Sequence, residues 1–519
     1  MSSRRSVPTL AALPAFLAGA LTLASPEEAH AAGFERVPPG ARDLGRGGAS
    51  VVGGDSPNAV FYNPATILRG TSRGDLEGSL HLHFLEECYQ NVPVDESSGT
   101  PVGGTPNPTV CGEGPLTVFP ELAGTFRFNE KFAINAGLYV PPAAARSIHF
   151  GDPETVTIPN PSGMGTVPTP SRYLLVEQTL LQVFPTVAIA YAPHPRVRLG
   201  LSFAAGITSI DYSNVAWSYI RVVGNTITAT ADALSSVSGH DYFTPRISFG
   251  LWTQPVANVP LEVGGSLTWT GPVHTDDATL NVRSLSTQIM PQWVGDLVGG
   301  NLEANGTFHG VGMDVPQTST LAFGLRYAKK LDRPADDIGD RLSTERFDVE
   351  LDTVVTLSNN VDSFDVTLPP NSSLTVPSPV AIIPDITVDL PAQISLQHRW
   401  KTQVALRLGG DYNVLPGRLA VRAAFSFESN GQQHGYEQLD FQPFRLFGLH
   451  CGGTVRVARF LDLSASYTHV FVSDVTVSPA DARIRRIVSG VNFPPPNGQS
   501  DYAATDDGWL LSSNSMGLT

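Results

Sequence analysis

The stretch Gly33–Gly70, GFERVPPGARDLGRGGASVVGGDSPNAVFYNPATILRG, decides how the rest of the chain is read. It holds no lasting period of two or of 3.6, so it predicts neither a strand nor an amphipathic helix. Its glycines and prolines would suit a linker, but Val37, Leu44, Val51, Val52, Val60, Phe61, Tyr62, Ile67 and Leu68 are spread through it. Apolar residues at that density must be buried, and 38 residues are too few to form a core of their own. The stretch predicts a compact plug held inside something larger, and the chain from Asp75 onward supplies walls able to hold it.

Those walls are read from strict alternation. In Val197–Ile207 the odd positions are Val, Leu, Leu, Phe, Ala and Ile, with Arg198, Gly200, Ser202, Ala204 and Gly206 between them. In Arg418–Glu428, Leu419, Val421, Ala423, Phe425 and Phe427 share one face, and Arg418, Arg422, Ser426 and Glu428 the other. Phe347–Leu357 sets an apolar face against Asp348, Glu350 and Asp352. One apolar and one polar face over about ten residues is the pattern of a transmembrane β-strand.

A soluble sandwich alternates too, so the connections decide. Strands are predicted at 75–85, 117–128, 132–150 (interrupted), 172–192, 197–213, 239–253, 259–275, 318–328, 345–358, 394–414, 418–429, 444–458, 460–477 and 508–519, fourteen in all. Long links (86–116, 151–171, 214–238, 276–317, 359–393, 430–443, 478–507) take turns with short ones (129–131, 193–196, 254–258, 415–417, 459), with 329–344 an intermediate exception. Long outer loops alternating with tight periplasmic turns mark a bacterial outer-membrane barrel, and place both termini in the periplasm.

Composition agrees. The chain of 519 residues is 41% hydrophobic and 16% charged, too apolar for disorder. A net charge of −15 with no basic stripe excludes a nucleic-acid partner. Arg4 and Arg5, the apolar run Val7–Ala24 and the small-residue site Ala29-His30-Ala31 predict a secretory signal over 1–31. After it no run of 18 apolar residues occurs, so a helical membrane span is not expected.

The motifs of the plug carry a family resemblance. A start near Ala32-Gly33-Phe34, the run Gly45-Arg46-Gly47-Gly48-Ala49 and the triplet Asn63-Pro64-Ala65 before the first strand resemble the N-terminal hatch of the FadL-type outer-membrane transporters of long-chain fatty acids and other hydrophobic molecules. The resemblance implies an all-β, fourteen-stranded transmembrane antiparallel barrel (71–519) with the hatch (32–70) inside it. It also implies a kinked third strand that opens the wall sideways toward the bilayer. Pro141 and Pro142 interrupt that strand here, and neither can donate to a ladder. In one respect the chain departs from the family: it ends Ser515-Met516-Gly517-Leu518-Thr519, without the usual terminal aromatic.

Other candidate sites are sparse. Gly54-Asp55-Ser56 resembles the nucleophile block of one esterase family, but none of the 12 histidines has an aspartate three residues before it. No Gly-x-Ser-x-Gly elbow occurs, so a turn is the expected reading. His81 and His83 share a face with Glu77 and lack a spaced third ligand, which makes them lumen residues rather than a metal site. Cys88 and Cys111 fall in the first long link, where an oxidising compartment would let them pair; Cys451 reads as a lone buried thiol. The charged lumen residues are expected to pair with one another or with water. Arg127, Arg198 and Arg422 are the candidates for a ligand's head group.

The reading is passive uptake of a fatty acid or an aromatic hydrocarbon, with no cofactor, no metal and no covalent chemistry. The expected partners are that ligand, outer-membrane lipid and the barrel assembly machinery. The rival readings are a non-transporting structural or adhesin-like barrel, a membrane lipase and a water-filled porin.

Overall fold

The computed structural model describes residues 40–91, 94–95, 100–101, 109–114, 116–141, 145–151, 170–216, 233–284, 305–358, 362–376, 386–441, 444–477, 481, 483 and 509–518. The signal segment and the motif residues Gly33, Phe34 and Pro142 lie outside them.

The strands that follow one another in a ladder are β1 (Gly74–Asn91), β2 (Thr117–Asn129), β3 (Phe132–Tyr139), β4 (Glu177–His194), β5 (Val197–Ala216), β6 (Ala233–Thr253) and β7 (Leu261–Thr270), then β8 (Ser319–Lys330), β9 (Glu345–Leu357), β10 (Gln403–Leu415), β11 (Leu419–Glu428), β12 (Leu446–Ala458), β13 (Leu461–Val472) and β14 (Trp509–Leu518). Every strand span predicted from the sequence overlaps one of them. They belong to one large antiparallel sheet in which each pairs with the next in sequence. The same order continues from β7 to β14, and β14 pairs with β1 as well, Leu518 opposite Leu82 and Trp509 opposite Asn91.

The alternation sorts by environment in the inverse of a soluble protein. Leu76 (77% exposed), Val187 (58%) and Phe249 (57%) point out, while Arg326 and Glu350 point in and are fully buried. Water would penalise such an outer face, and hydrocarbon rewards it. Exposed aromatics Phe128, Phe132, Tyr191, Tyr327 and Tyr412 collect at the end of the sheet that carries the short turns. Among the described residues no helix is long and apolar enough to cross a membrane, which says nothing against crossing by strands.

Three links read as loops contain strands instead, 86–116 holding the short Val94–Asp95, Thr100–Pro101 and Val110–Glu113. Val273–Ser284 pairs with Asn305–Val315 and with the start of β6; Ser363–Thr367 pairs with Gln393–Gln397. They extend the sheet at the end opposite the short turns. There Ile148, Phe150, Leu175, Ile210, Leu280 and Phe444 belong to one large apolar core. Cys451 also departs from expectation: it is exposed, on the outward face of β12 with Leu449 and Val455. It is apolar enough for that face, so the alternation rather than a protein core sets its place.

Candidate functional site

Residues 40–70 form a short helix α1 (Ala41–Gly45) and two 3-10 turns, Pro57–Phe61 and Pro64–Leu68. Each 3-10 turn begins on proline, whose missing N–H costs nothing at the first helical position. The triplet Asn63-Pro64-Ala65 is anchored through its asparagine. Asn63 Oδ1 accepts from Ala65 N (3.0 Å), and its Nδ2 donates to the carbonyls of Val51 (2.8 Å) and of Leu251 on β6 (3.0 Å). Gly200 and Gly250 face the triplet, and a Cβ on either would overlap Pro64, Ala65 or the Asn63 side chain.

The run Gly45–Ala49 has the same logic. Gly47 and Gly48 have φ of 63° and 74°, the left-handed region open to glycine. A Cβ on Gly47 would also stand 2.9 Å from Ala424 of β11 and His450 of β12. Between the glycines Arg46 reaches the wall. Its guanidinium donates to Asp348 twice (3.0 Å each), to Glu350 (2.8 Å) and to Asp411 (2.8 Å). The next backbone amides continue the pattern: Val51 N donates to Asp352 Oδ2 (3.0 Å), Val52 N to Glu350 Oε1 (2.7 Å) and Gly53 N to Glu350 Oε2 (2.9 Å).

The wall supplies cations of its own. Arg326 donates to Asp348 (2.7 Å) and Glu262 (2.9 Å) and pairs with Glu345. The intermediate link 329–344 folds into a short helix α2 (Arg341–Thr344), whose Arg341 bonds the Gly53 carbonyl and Asp348. The expected pairing of lumen charges among themselves therefore includes the N-terminal segment. Arg407 faces Glu428 at 3.6 Å in the expected manner.

Of the head-group candidates, Arg127 bonds the carbonyls of Ile67 and Ser72 (both 2.8 Å) and pairs with Asp75. Arg422 donates to Thr454 (2.7 Å) and lies 3.2 Å from Asp411. Arg198 lies over the Trp252 ring, 4.3 Å from its centroid. The three are not brought together. His81 meets Glu121 (2.7 Å) and stacks on Phe119, and among the described residues no three His, Cys, Asp or Glu side chains group around a metal position. Asp55 pairs with Arg42 (3.1 Å), and Ser56 Oγ donates to Asp43. Cys88 and Cys111 lie opposite each other on β1 and the short strand Val110–Glu113, with their sulfurs bonded at 1.99 Å. They sit on strands rather than in a loop, because β1 runs six residues past its predicted end at 85, to Asn91.

One place in the wall lacks its ladder. The β2–β3 pairing stops at Leu122 opposite Leu138, although β2 continues to Thr117 in register with β1. On the other side of β3, Tyr139 faces Phe184, and the next pair is Ala145 with Leu181. Gln182 and Val183 of β4 lie between those two pairings. Pro141 is buried and outside any strand. Phe119, Val140 and Val183 pack together there, and Phe61 of the N-terminal segment stacks on Tyr139 at 4.8 Å.

No known family model and no curated protein matches the sequence. Solved structures do match in fold. A FadL homologue of Pseudomonas aeruginosa aligns over 94% of this chain and 98% of its own, with a TM-score of 0.59 at 14% identity. The toluene transporter TodX of Pseudomonas putida aligns over 93% and 97%, with a TM-score of 0.56, also at 14% identity. The fold is of the FadL type. The residues that sequence reading missed in this FadL-type fold are Arg46, Arg326 and Arg341. Only the position of Arg46 inside the glycine run marked any of them.

Proposed function

We propose that this chain is an outer-membrane channel for passive uptake of hydrophobic small molecules, fatty acids or aromatic hydrocarbons. In this reading 1–31 is a signal peptide, 32–70 a hatch and 71–519 a closed fourteen-stranded barrel, with both termini in the periplasm. The unbroken order of pairing from β1 to β14 and back to β1 supports closure. Contacts of the hatch with strands as far apart as β5 and β12 support its place in the lumen. The barrel assembly machinery would insert it, and outer-membrane lipid would cover its outer face.

The observation that carries the transport reading is the interrupted ladder between β2 and β3, bordered by Phe119, Val140 and Val183. An apolar solute leaves water for greasy surface at about 25 cal/mol per Å² buried, and needs only an apolar way on. A side opening in the wall lets it pass into the bilayer without crossing the charged seat of the hatch. The motif residues Gly33, Phe34, Gly45, Gly47, Gly48, Asn63, Pro64 and Ala65 shape that hatch in this reading. The experiment is uptake of labelled oleate and of toluene by cells with and without the protein. Equal uptake by both would leave a structural or adhesin-like barrel.

A further inference from the structure

The outward face of the wall is not evenly filled. A groove of about 800 Å³ crosses β1–β5 on the side turned away from the lumen. Its floor is Gly124 of β2 and Ala136 of β3, which lie opposite each other in register and carry no side chain beyond Cβ. Leu76 of β1 and Val187 of β4 flank them in the same row, and Phe126 and Ile134 stand one outward position nearer the short turns. A Cβ on Gly124 would find its nearest neighbour, Leu76 Cδ1, at 3.5 Å, so no close contact calls for a glycine there. At the short-turn end of the groove stands a cation. Arg73, just before β1, is exposed and holds its guanidinium 5.3 Å from the Phe126 ring centroid. Among the described residues it has no carboxylate partner. Asp75, the nearest acid along the chain, pairs with Arg127 instead. Phe128 packs on Phe126 and Phe132 on Phe128, a belt of exposed rings at the level where bilayer head groups lie.

We propose that this groove seats one acyl chain of a phospholipid, with the lipid's phosphate on Arg73. The guanidinium fork matches a phosphate in charge and in geometry, and no acid of the chain competes for it. From Arg73 to the row of Gly124 is three residues of strand, roughly 10 Å. A lipid held by its phosphate therefore lays its first methylenes over Phe126 and Ile134 and the next ones on the floor. There the chain takes the space of the missing side chains and covers apolar surface more closely than passing lipid does. Leu122 and Leu138, the last β2–β3 pair, separate the groove from the gap above it, so this is not the gap itself. This inference rests on the reading of the chain as a membrane barrel and not on what the barrel carries.

The test uses the purified full-length protein in detergent and two probes, dioleoyl phosphatidylglycerol and dioleoylglycerol, with bound lipid counted by native mass spectrometry. The wild type should retain phosphatidylglycerol at a single saturable site. Ala136→Phe and Gly124→Leu fill the groove from its two strands, and each should weaken retention roughly tenfold, as the loss of about two buried methylenes would. Val421→Phe, which adds a ring to the outward face of β11, should leave it unchanged. Arg73→Gln should weaken phosphatidylglycerol binding roughly tenfold and leave dioleoylglycerol binding as it was. Arg73→Lys should restore part of the loss. Heat-resistant migration shows that a variant is assembled. Retention equal to wild type in both filled variants, or in Arg73→Gln, overturns the proposal. A lipid-free dimer of the wild type that Ala136→Phe dissociates would give the groove to a second copy and overturn it too. A heat-resistant wild type that retains no phosphatidylglycerol leaves the barrel reading standing and the site refuted.

Discussion

Arg46 and Asp348 are joined by two parallel hydrogen bonds of 3.0 Å, Nη1 to Oδ1 and Nη2 to Oδ2, across 302 residues of chain. Both side chains are buried, and each has further partners: Glu350 and Asp411 for the arginine, Arg326 and Arg341 for the aspartate. A buried network of this kind rarely adds stability over an apolar core. It does make removal of one member expensive, because the remaining charges stay desolvated.

Arg46→Ala should therefore loosen the segment 40–70 by about 3–5 kcal/mol, the usual cost of stripping one partner from a buried ion pair. Strand pairing does not pass through Arg46, so heat-resistant migration of the barrel should be kept. Hydrogen exchange of amides 51–53 and ion conductance in planar bilayers should both rise. Exchange as slow as in the wild type would mean that the network does not hold this segment.

Glycines of the wall give a second handle on the same seat. A Cβ on Gly200 would overlap the Pro64–Ala65 backbone, and one on Gly324 would stand 2.6 Å from Val52 Cγ2. Backbone cannot swing aside as a flexible side chain does, so Gly200→Val should unseat the triplet and raise conductance. Gly453→Val on the outward face, where the nearest atom is 3.3 Å away, is the control and should change nothing. Equal conductance of the two variants would rule out a tight seat.

Two carboxylates of the segment 40–70 should respond to pH in opposite senses. Burial alone would raise the pKa of Asp55, but Arg42 and Arg341 more than reverse it and hold it below the ordinary range. A depressed carboxyl contributes seating stability above its ordinary pKa of about 4 and loses it as pH falls through the seated value. Burial raises Asp43, against the Ser50 hydrogen bond and Arg42, so its favourable contribution is complete only below about pH 4 and is lost as pH rises. At neutral pH Asp55→Asn should weaken seating by about 1–2 kcal/mol, whereas Asp43→Asn should be neutral or strengthening. Protease protection of residues 40–70 at pH 7 reads both; a larger loss from Asp43→Asn would reverse the assignment.

The strands were legible because alternation is a local property. Phe425 points out and Arg422 in because they are three residues apart on one strand, and nothing distant is needed to say so. What was illegible depends on partners far along the chain. Nothing local marks Gly200, Gly250 and Gly409, and only the segment 40–70 lying against them explains the absent side chains. Arg341 was hidden because the link 329–344 has no period. Its placement follows from Asp340 capping α2 at Ser343 N and pairing with Arg456 across the short-turn end. The strands Val273–Ser284 and Asn305–Val315 were missed because polar residues such as His274, Asp276, Asp277, Asn281, His309 and Asp314 break their alternation, and Ser363–Thr367 because it is only five residues long.

The Cys88–Cys111 bridge encloses 22 residues, and its loss should cost about 3 kcal/mol of local stability by the chain-entropy estimate. Cys88→Ser with Cys111→Ser should leave the β1–β2 ladder from Gly74 to His83 intact, since those pairs lie below the bridge. Proteolysis near 92–110 should become faster under oxidising conditions, matching reduced wild type. Identical cleavage of oxidised wild type and the double variant would show that the bridge does not constrain that end.

The last prediction concerns the gap between β2 and β3. Proline at 141 and 142 removes two successive amide donors, and a strand so interrupted cannot continue a ladder with either neighbour. The pairing agrees with that chemistry, as it ceases at Leu138 on the β2 side and skips from Tyr139 to Ala145 on the β4 side. Val and Thr favour strands and carry the missing N–H groups. Pro141→Val with Pro142→Thr should let residues 139–145 pair with Thr117–Glu121 of β2, whose β3 side has no partner in that ladder. The barrel should assemble as before and resist heat at least as well. Uptake of toluene and of oleate should fall together, because a closed wall stops both. Were only oleate affected, the defect would lie in head-group capture and not in the exit. If the double variant took up both at the wild-type rate, solute would not leave through the wall at this point.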